Sequence, residues 1–157
     1  MEPKTIAISV GEPAGIGPDT LIQIIQSRRE HQLIAHADPD LLIQRAKTLN
    51  LPLKLVDPTN KNSLTAGVLA IAPQKLVDTC TPGKLNANNS DYVIRCLDAA
   101  TEDCLTKSAD ALVTGPIQKS IIKEIESYEP WLPGSYEVVN HELIYEGKLI
   151  DEKKAKK

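Results

Sequence analysis

The segment that most constrains this chain lies at its start. Residues 4–10 (KTIAISV) form a short β-branched run that stops at Gly11, as a buried strand does. Residues 11–18 (GEPAGIGP) follow as a loop whose glycines permit positive φ and close backbone approach. Pro18 suits the first turn of a helix, and Asp19 puts negative charge near that helix's positive end. Leu21, Ile22, Ile24 and Ile25 give the helix an apolar face, which Arg28 and Arg29 close.

The same rhythm then repeats. Residues 32–37 read as a second strand, and Asp38-Pro39 as an N-cap followed by proline at the first helical position. Leu41, Leu42, Ala46 and Leu49 recur at helical spacing over residues 39–49, and Asn50 suits a C-terminal cap. Residues 53–56 make a third strand. Residues 57–67 (DPTNKNSLTAG) are turn-rich, and residues 68–72 suggest an edge strand stopped by Pro73. Asn89 or Ser90 can cap a long helix over residues 91–107, with Val93, Ile94, Leu97, Ala100, Cys104 and Leu105 inward. Residues 109–114 are strand-like again, and Gly115-Pro116-Ile117-Gln118-Lys119 leads into a short helix ending near Glu124. Strands alternating with helices imply parallel pairing through right-handed crossovers, hence an α/β sandwich with a mostly parallel sheet. Ligands in such sheets sit outside the carboxyl ends of the strands. The loops at 11–18 and 115–119 are therefore the site candidates.

Residues 125–157 break the rhythm. Residues 128–136 (YEPWLPGSY) carry two prolines and a glycine, and Glu146-Gly147 could turn a hairpin. Of five aromatics in 157 residues, Tyr128, Trp131, Tyr136 and Tyr145 lie in this tail, leaving Tyr92 alone in the first 127 residues. Two compositions are thus joined near residue 124: an α/β domain over 1–124, and a divergent tail over 125–157, hairpin or disordered.

Composition excludes several classes. No apolar run approaches the roughly 20 residues that span a bilayer, and the N-terminus lacks a secretory signal pattern. A formal charge of −3, with clustered lysines only at Lys153, Lys154, Lys156 and Lys157, argues against nucleic acid. Three cysteines without a Cys-x-x-Cys spacing fit a reducing, cytoplasmic setting, and Cys96 and Cys104 read as small core residues.

Chemistry-bearing patterns are few. Gly11, Gly15 and Gly17 have neither dinucleotide-fingerprint nor Walker spacing. A strand-to-helix turn of this kind exposes backbone N–H groups suited to an anion, and a ligand-free glycine turn fits the spacing equally well. Thr114-Gly115-Pro116-x-x-Lys119 has similar geometry: Lys119 could neutralise a phosphate and Thr114 offers a hydroxyl, while a capped helix with a surface lysine reads the same. His31, His36 and His141 lack metal-ligand spacing, and no Ser-His-Asp or Cys-His arrangement is evident.

These residues carry a family resemblance. The stretch Ile6-Ala7-Ile8-Ser9-Val10-Gly11-Glu12-Pro13-Ala14-Gly15-Ile16-Gly17-Pro18-Asp19 closely resembles the start of 4-hydroxythreonine-4-phosphate dehydrogenases, enzymes of pyridoxal 5′-phosphate biosynthesis. The resemblance continues through His36-Ala37-Asp38, Leu49-Asn50-Leu51-Pro52, Asp91-Tyr92-Val93 and Asp110 to Ser120, covering residues 4–124. It implies NAD- and divalent-metal-dependent oxidation of 4-phosphohydroxy-L-threonine by a homodimer. It also implies a fold similar to isocitrate and isopropylmalate dehydrogenases, of which this chain holds a part, with the tail unrelated to it. Only the two glycine–proline loops match family motifs, and their location makes Gly11, Glu12, Gly15, Gly17, Thr114, Gly115 and Lys119 the substrate- or phosphate-loop candidates.

The chain also departs from the family pattern. Family members continue into a Gly-His-Thr-Glu motif whose His and Thr contact substrate, whereas Ile125-Glu126-Ser127-Tyr128-Glu129-Pro130 stand here. The family's later metal histidines and basic substrate-binding residues have no counterparts, so no catalytic or metal residue carries over. The expectation is the N-terminal part of such a dehydrogenase, truncated or frameshifted, inactive alone and unsuited to hold NAD and metal properly. The alternatives are a non-catalytic phosphate- or nucleotide-binding module and a degenerate product.

Overall fold

The computed structural model describes residues 2–118, with the side chains of 61 and 62 excepted, together with the backbone of three strands at 136–139, 142–145 and 148–149. The chain divides into two compact units, residues 1–125 and 126–157. The short helix expected to end near Glu124 lies outside the described residues.

The first unit is built on a five-stranded sheet in the order β3-β4-β2-β1-β5, every pair parallel. The strands are β1 (Thr5–Ser9), β2 (Gln32–Ala37), β3 (Lys54–Val56), β4 (Val68–Pro73) and β5 (Ala111–Thr114). Helices α1 (Gly17–Ile24), α2 (Pro39–Leu49) and α3 (Ser90–Leu105) connect them. The second unit contains β6 (Tyr136–Val139), β7 (Glu142–Tyr145) and β8 (Lys148–Leu149), an antiparallel meander in which Tyr145 pairs with Lys148.

Side-chain alternation along the strands assigns the two faces. Ile8, Val10, Leu33, Ala35, Leu69 and Ile71 point to the α1–α2 side and pack against Leu21, Ile22, Ile25, Leu42 and Ala46. Ala7 faces α3 and meets Ala100 and Ala109. Burial on both faces explains why the central strands read as continuous apolar runs.

Local chemistry sets the helix ends. Asp38 caps α2 by accepting from Asp40 N at 2.8 Å and Leu41 N at 3.1 Å, and Asn50 closes it in the left-handed region with φ 54°. Asn89 occupies the N-cap position of α3 without capping it. Its side chain instead accepts from Asp78 N at 3.0 Å and donates to the Asp78 carbonyl at 3.2 Å.

Three expectations are corrected. β4 is interior rather than an edge strand, because Pro73 is its last residue and removes no donor from the middle of the ladder. Leu105 is 61% exposed, one position round the helix from the Cys104 stripe, where α3 ends. Ile24 is exposed at the last residue of α1.

Two polar contacts tie α3 to the sheet. The buried Tyr92 hydroxyl accepts from Asp38 N at 3.0 Å. His36, 3% exposed in its side chain, donates from Nε2 to Asp103 Oδ2 at 3.0 Å. The His36 Nδ1 is buried without a partner among the described residues. Burial lowers the His36 pKa, and Asp103 opposes this without reversing it. A depressed histidine favours the neutral folded state, so its stabilisation holds above the ordinary histidine pKa and is lost as pH falls below it. Unfolding free energies from denaturant titrations between pH 7.5 and 5.5 should fall by no more than about 1.4 kcal/mol per pH unit from this group. His36→Gln should flatten that part of the profile.

Candidate functional site

The sheet changes direction at β1. From it the chain runs through α1 to β2 on one side, while β5 lies on the other, reached from α3 on the opposite face. In open α/β sheets such a switch point is where a crevice opens at the carboxyl ends of the strands. Both glycine–proline loops emerge there.

The two loops interlock through their backbones. Gly115 N donates to Ser9 O at 2.7 Å, and Glu12 N donates to Pro116 O at 3.0 Å. Gly11 has φ +83°, and a Cβ there would overlap the Pro116 carbonyl oxygen and stand 2.8 Å from Gly115 C. A Cβ on Gly115 would overlap Val10 O, and one on Gly17 would meet the same oxygen. These glycines are therefore required by chain-on-chain packing: the neighbouring loop fills the space beside Gly11 and Gly115, and Val10 O of its own connection fills that beside Gly17.

Within the first loop, Glu12 closes a turn on itself: its carbonyl accepts from Gly15 N at 3.0 Å and its Oε1 from Ala14 N at 3.1 Å. Arg45, buried on α2, grips the start of α1. Its Nε and Nη2 donate to the two Asp19 carboxylate oxygens at 2.6 and 2.7 Å, and Nη2 also donates to Gly15 O at 2.8 Å. The β4–α3 connection folds over the loop through Gly83 N to Ala14 O at 2.8 Å.

Six of the seven residues expected from sequence thus stand together: Gly11, Glu12, Gly15, Gly17, Thr114 and Gly115. Thr114 is exposed and Glu12 half-buried. Lys119 lies outside the described residues. Arg45 was missed, although a charged residue in the apolar stripe of Leu41, Leu42 and Ala46 is the signal that marks it.

Among the described residues, no three His, Cys, Asp or Glu side chains are grouped to hold a metal ion. The glycine loops leave no open cradle of the kind a pyrophosphate occupies, because backbone fills it. Burial pushes the Cys80 thiol up despite nearby Arg45, and pushes Cys96 up to about 12, so neither is a thiolate nucleophile at neutral pH. A cavity of about 690 Å³ lies at the opposite end of the sheet beside Pro3, Arg28 and His31. There the Arg29 guanidinium is spent on the carbonyls of Ile25, Ser27, Ser63 and Val68.

Comparison with known proteins identifies the lineage. The family described as pyridoxal phosphate biosynthetic protein PdxA matches residues 28–145, more than half of the chain. The chain belongs to the PdxA family. The match crosses residue 124 into the second unit. A 4-hydroxythreonine-4-phosphate dehydrogenase of Saccharophagus degradans is 43% identical over 124 residues, which are 78% of this chain and 37% of the relative. One from Shewanella frigidimarina is 45% identical over 124 residues, 77% of this chain and 38% of the relative. The crystal structure of the Klebsiella pneumoniae 4-hydroxythreonine-4-phosphate dehydrogenase superposes with a TM-score of 0.66 at 25% identity, covering 77% of this chain and 39% of that one. The chain therefore spans less than two fifths of the length of these PdxA-family relatives. Its parallel sheet with flanking helices is the dehydrogenase-like α/β fold these structures share.

The interlock predicts non-additive substitution effects. Gly11→Ala and Gly115→Ala should each cost at least about 2 kcal/mol in urea unfolding, and the double variant should cost less than the sum, since both break one contact. Asp19→Ala, which strands a buried guanidinium, should cost about 3 kcal/mol.

Proposed function

We propose that this chain supplies the N-terminal wall of the substrate cleft of a 4-hydroxythreonine-4-phosphate dehydrogenase and has no turnover by itself. One observation carries the reading: the two glycine–proline loops meet at the switch point between β1 and β5, where this class of sheet binds ligands. The chemistry of the family, as its resemblance implies, is hydride transfer to NAD with a divalent metal polarising the alcohol oxygen.

This chain's part is positional. Thr114 offers an exposed hydroxyl at the end of β5, and the start of α1 turns its positive end toward the same edge. Both suit the phosphate of a small phosphorylated substrate. The absence of turnover rests on the residues that follow the 115–119 loop, where no Gly-His-Thr-Glu stretch stands.

The test is direct. With 4-phosphohydroxy-L-threonine, NAD and Mg²⁺, Mn²⁺ or Zn²⁺, the purified chain should form no NADH above background, and saturable NADH formation would overturn the proposal. Calorimetry with the same substrate should give saturable binding that Thr114→Val weakens by on the order of 1 kcal/mol, the worth of one hydrogen bond. No binding at all would remove the cleft-wall role.

A further inference from the structure

The amino ends of the strands carry a second group of charged side chains, at the opposite end of the sheet from the glycine–proline loops. The cavity of about 690 Å³ there is lined by Pro3, Arg28, Arg29, Glu30, His31 and Leu64. All six belong to the segments that lead into β1, β2 and β4.

Arg29 is used up as a donor but not as a charge. Its Nη1 donates to the carbonyls of Ile25 and Ser27 at 3.0 and 3.2 Å, and its Nη2 to those of Ser63 and Val68. Its backbone N–H adds a bond to Leu64 O at 3.1 Å. Every acceptor is a neutral carbonyl, and no carboxylate pairs with this guanidinium among the described residues. Nε is buried with no partner among them. Burial lowers the Arg29 pKa, and no acid acts against it. The cavity wall thus holds a fixed, half-buried positive charge that no acid balances.

Two further donors line the same space. Arg28 is exposed and makes no hydrogen bond or ion pair among the described residues. His31 accepts from Lys4 N at Nδ1, 3.3 Å away, which leaves the ring proton on Nε2 as a donor. Lys4 is itself paired with Asp110 and adds no free charge. In the neighbouring hollow of about 210 Å³ the donors are already taken: Gln32 by Pro58 O, and Thr59 by Asp57. Glu30 is the acid of the larger lining, so its two arginines leave one net positive charge.

We infer that this cavity is an oxyanion site that takes the phosphate group of a small phosphorylated ligand, held by Arg28 and His31 beside the fixed charge of Arg29. An unpaired charged donor binds most strongly to an anionic acceptor, and Coulomb attraction favours doubly charged phosphate over a carboxylate. The volume is that of a metabolite site rather than of a single ion. The site shares no residue with the glycine–proline loops, so it stands or falls apart from the cleft-wall role.

Calorimetry of the full chain with inorganic phosphate at low salt should show saturable binding with a dissociation constant on the order of 1 mM, as two charged hydrogen bonds give. Acetate should bind more weakly, and added salt should weaken both. Arg28→Ala should weaken phosphate binding about tenfold or more. Glu30→Gln, which removes a like charge, should tighten it about twofold to fivefold, a reversal of sign that loss of structure would not produce. Circular dichroism melts check folding, and if Arg28→Ala does not fold, Glu30→Gln decides. Amide chemical shifts at residues 28–31 and 64 should move with the titration. The inference is overturned by an absence of saturable phosphate binding, by unchanged affinity in the folded variants, or by tighter binding of acetate. Shifts confined to residues 11–18 and 114–118 would overturn it too, and would place the phosphate at the glycine–proline loops instead.

Discussion

The backbone contact between the β1 and β5 loops is the constraint on which the rest of the site depends. Gly115 N reaches Ser9 O only because neither Gly11 nor Gly115 carries a side chain. That approach fixes the end of β5 against β1 and holds Glu12 N on the Pro116 carbonyl. It also brings Val10 O close enough to forbid a Cβ on Gly17, which starts α1. Three glycines distributed over a hundred residues therefore solve one steric problem. Their use is internal: they bring two loops together instead of leaving room for a ligand between them.

A second set of contacts holds this junction from the side. Arg45 reads both the Asp19 carboxylate and the Gly15 carbonyl, so α2 sets the angle at which the loop enters α1. A planar guanidinium makes these three bonds in one fixed geometry, which a lysine could not reproduce. Asp38 performs the matching task at the neighbouring strand: one oxygen caps α2, and the other accepts from Leu76 N at 2.9 Å, anchoring the connection that crosses the first loop.

Much of this was legible from the chain because its signals are local. The bounds of β2 and α2 follow from Asp38-Pro39 and Asn50, which act on their own backbone within a few residues. The two loops were recognisable because glycine and proline declare unusual backbone geometry. What stayed hidden depends on residues far apart. Arg45 and Asp19 are 26 positions apart, His36 and Asp103 are 67 apart, and Asn89 left its cap to latch Asp78. The role of Gly11 was similarly inaccessible, since spacing marks a tight turn but not the loop it must clear. Leu105 and β4 misled for the opposite reason: composition registers hydrophobicity, not which neighbour will cover it.

The pairing of β1 with β5 has a kinetic meaning as well. β1 lies in the middle of the sheet, yet its partner on one side comes from more than a hundred residues later. The β1–α1–β2–α2 segment can close through short loops, while β5 must wait for a large one and then seat two glycine turns at once. Of the contacts β1 makes within the sheet, the junction with β5 closes the larger loop, and before it forms the apolar centre of β1 has one bare edge. Until β5 is available to pair, that edge of β1 is open to wrong partners.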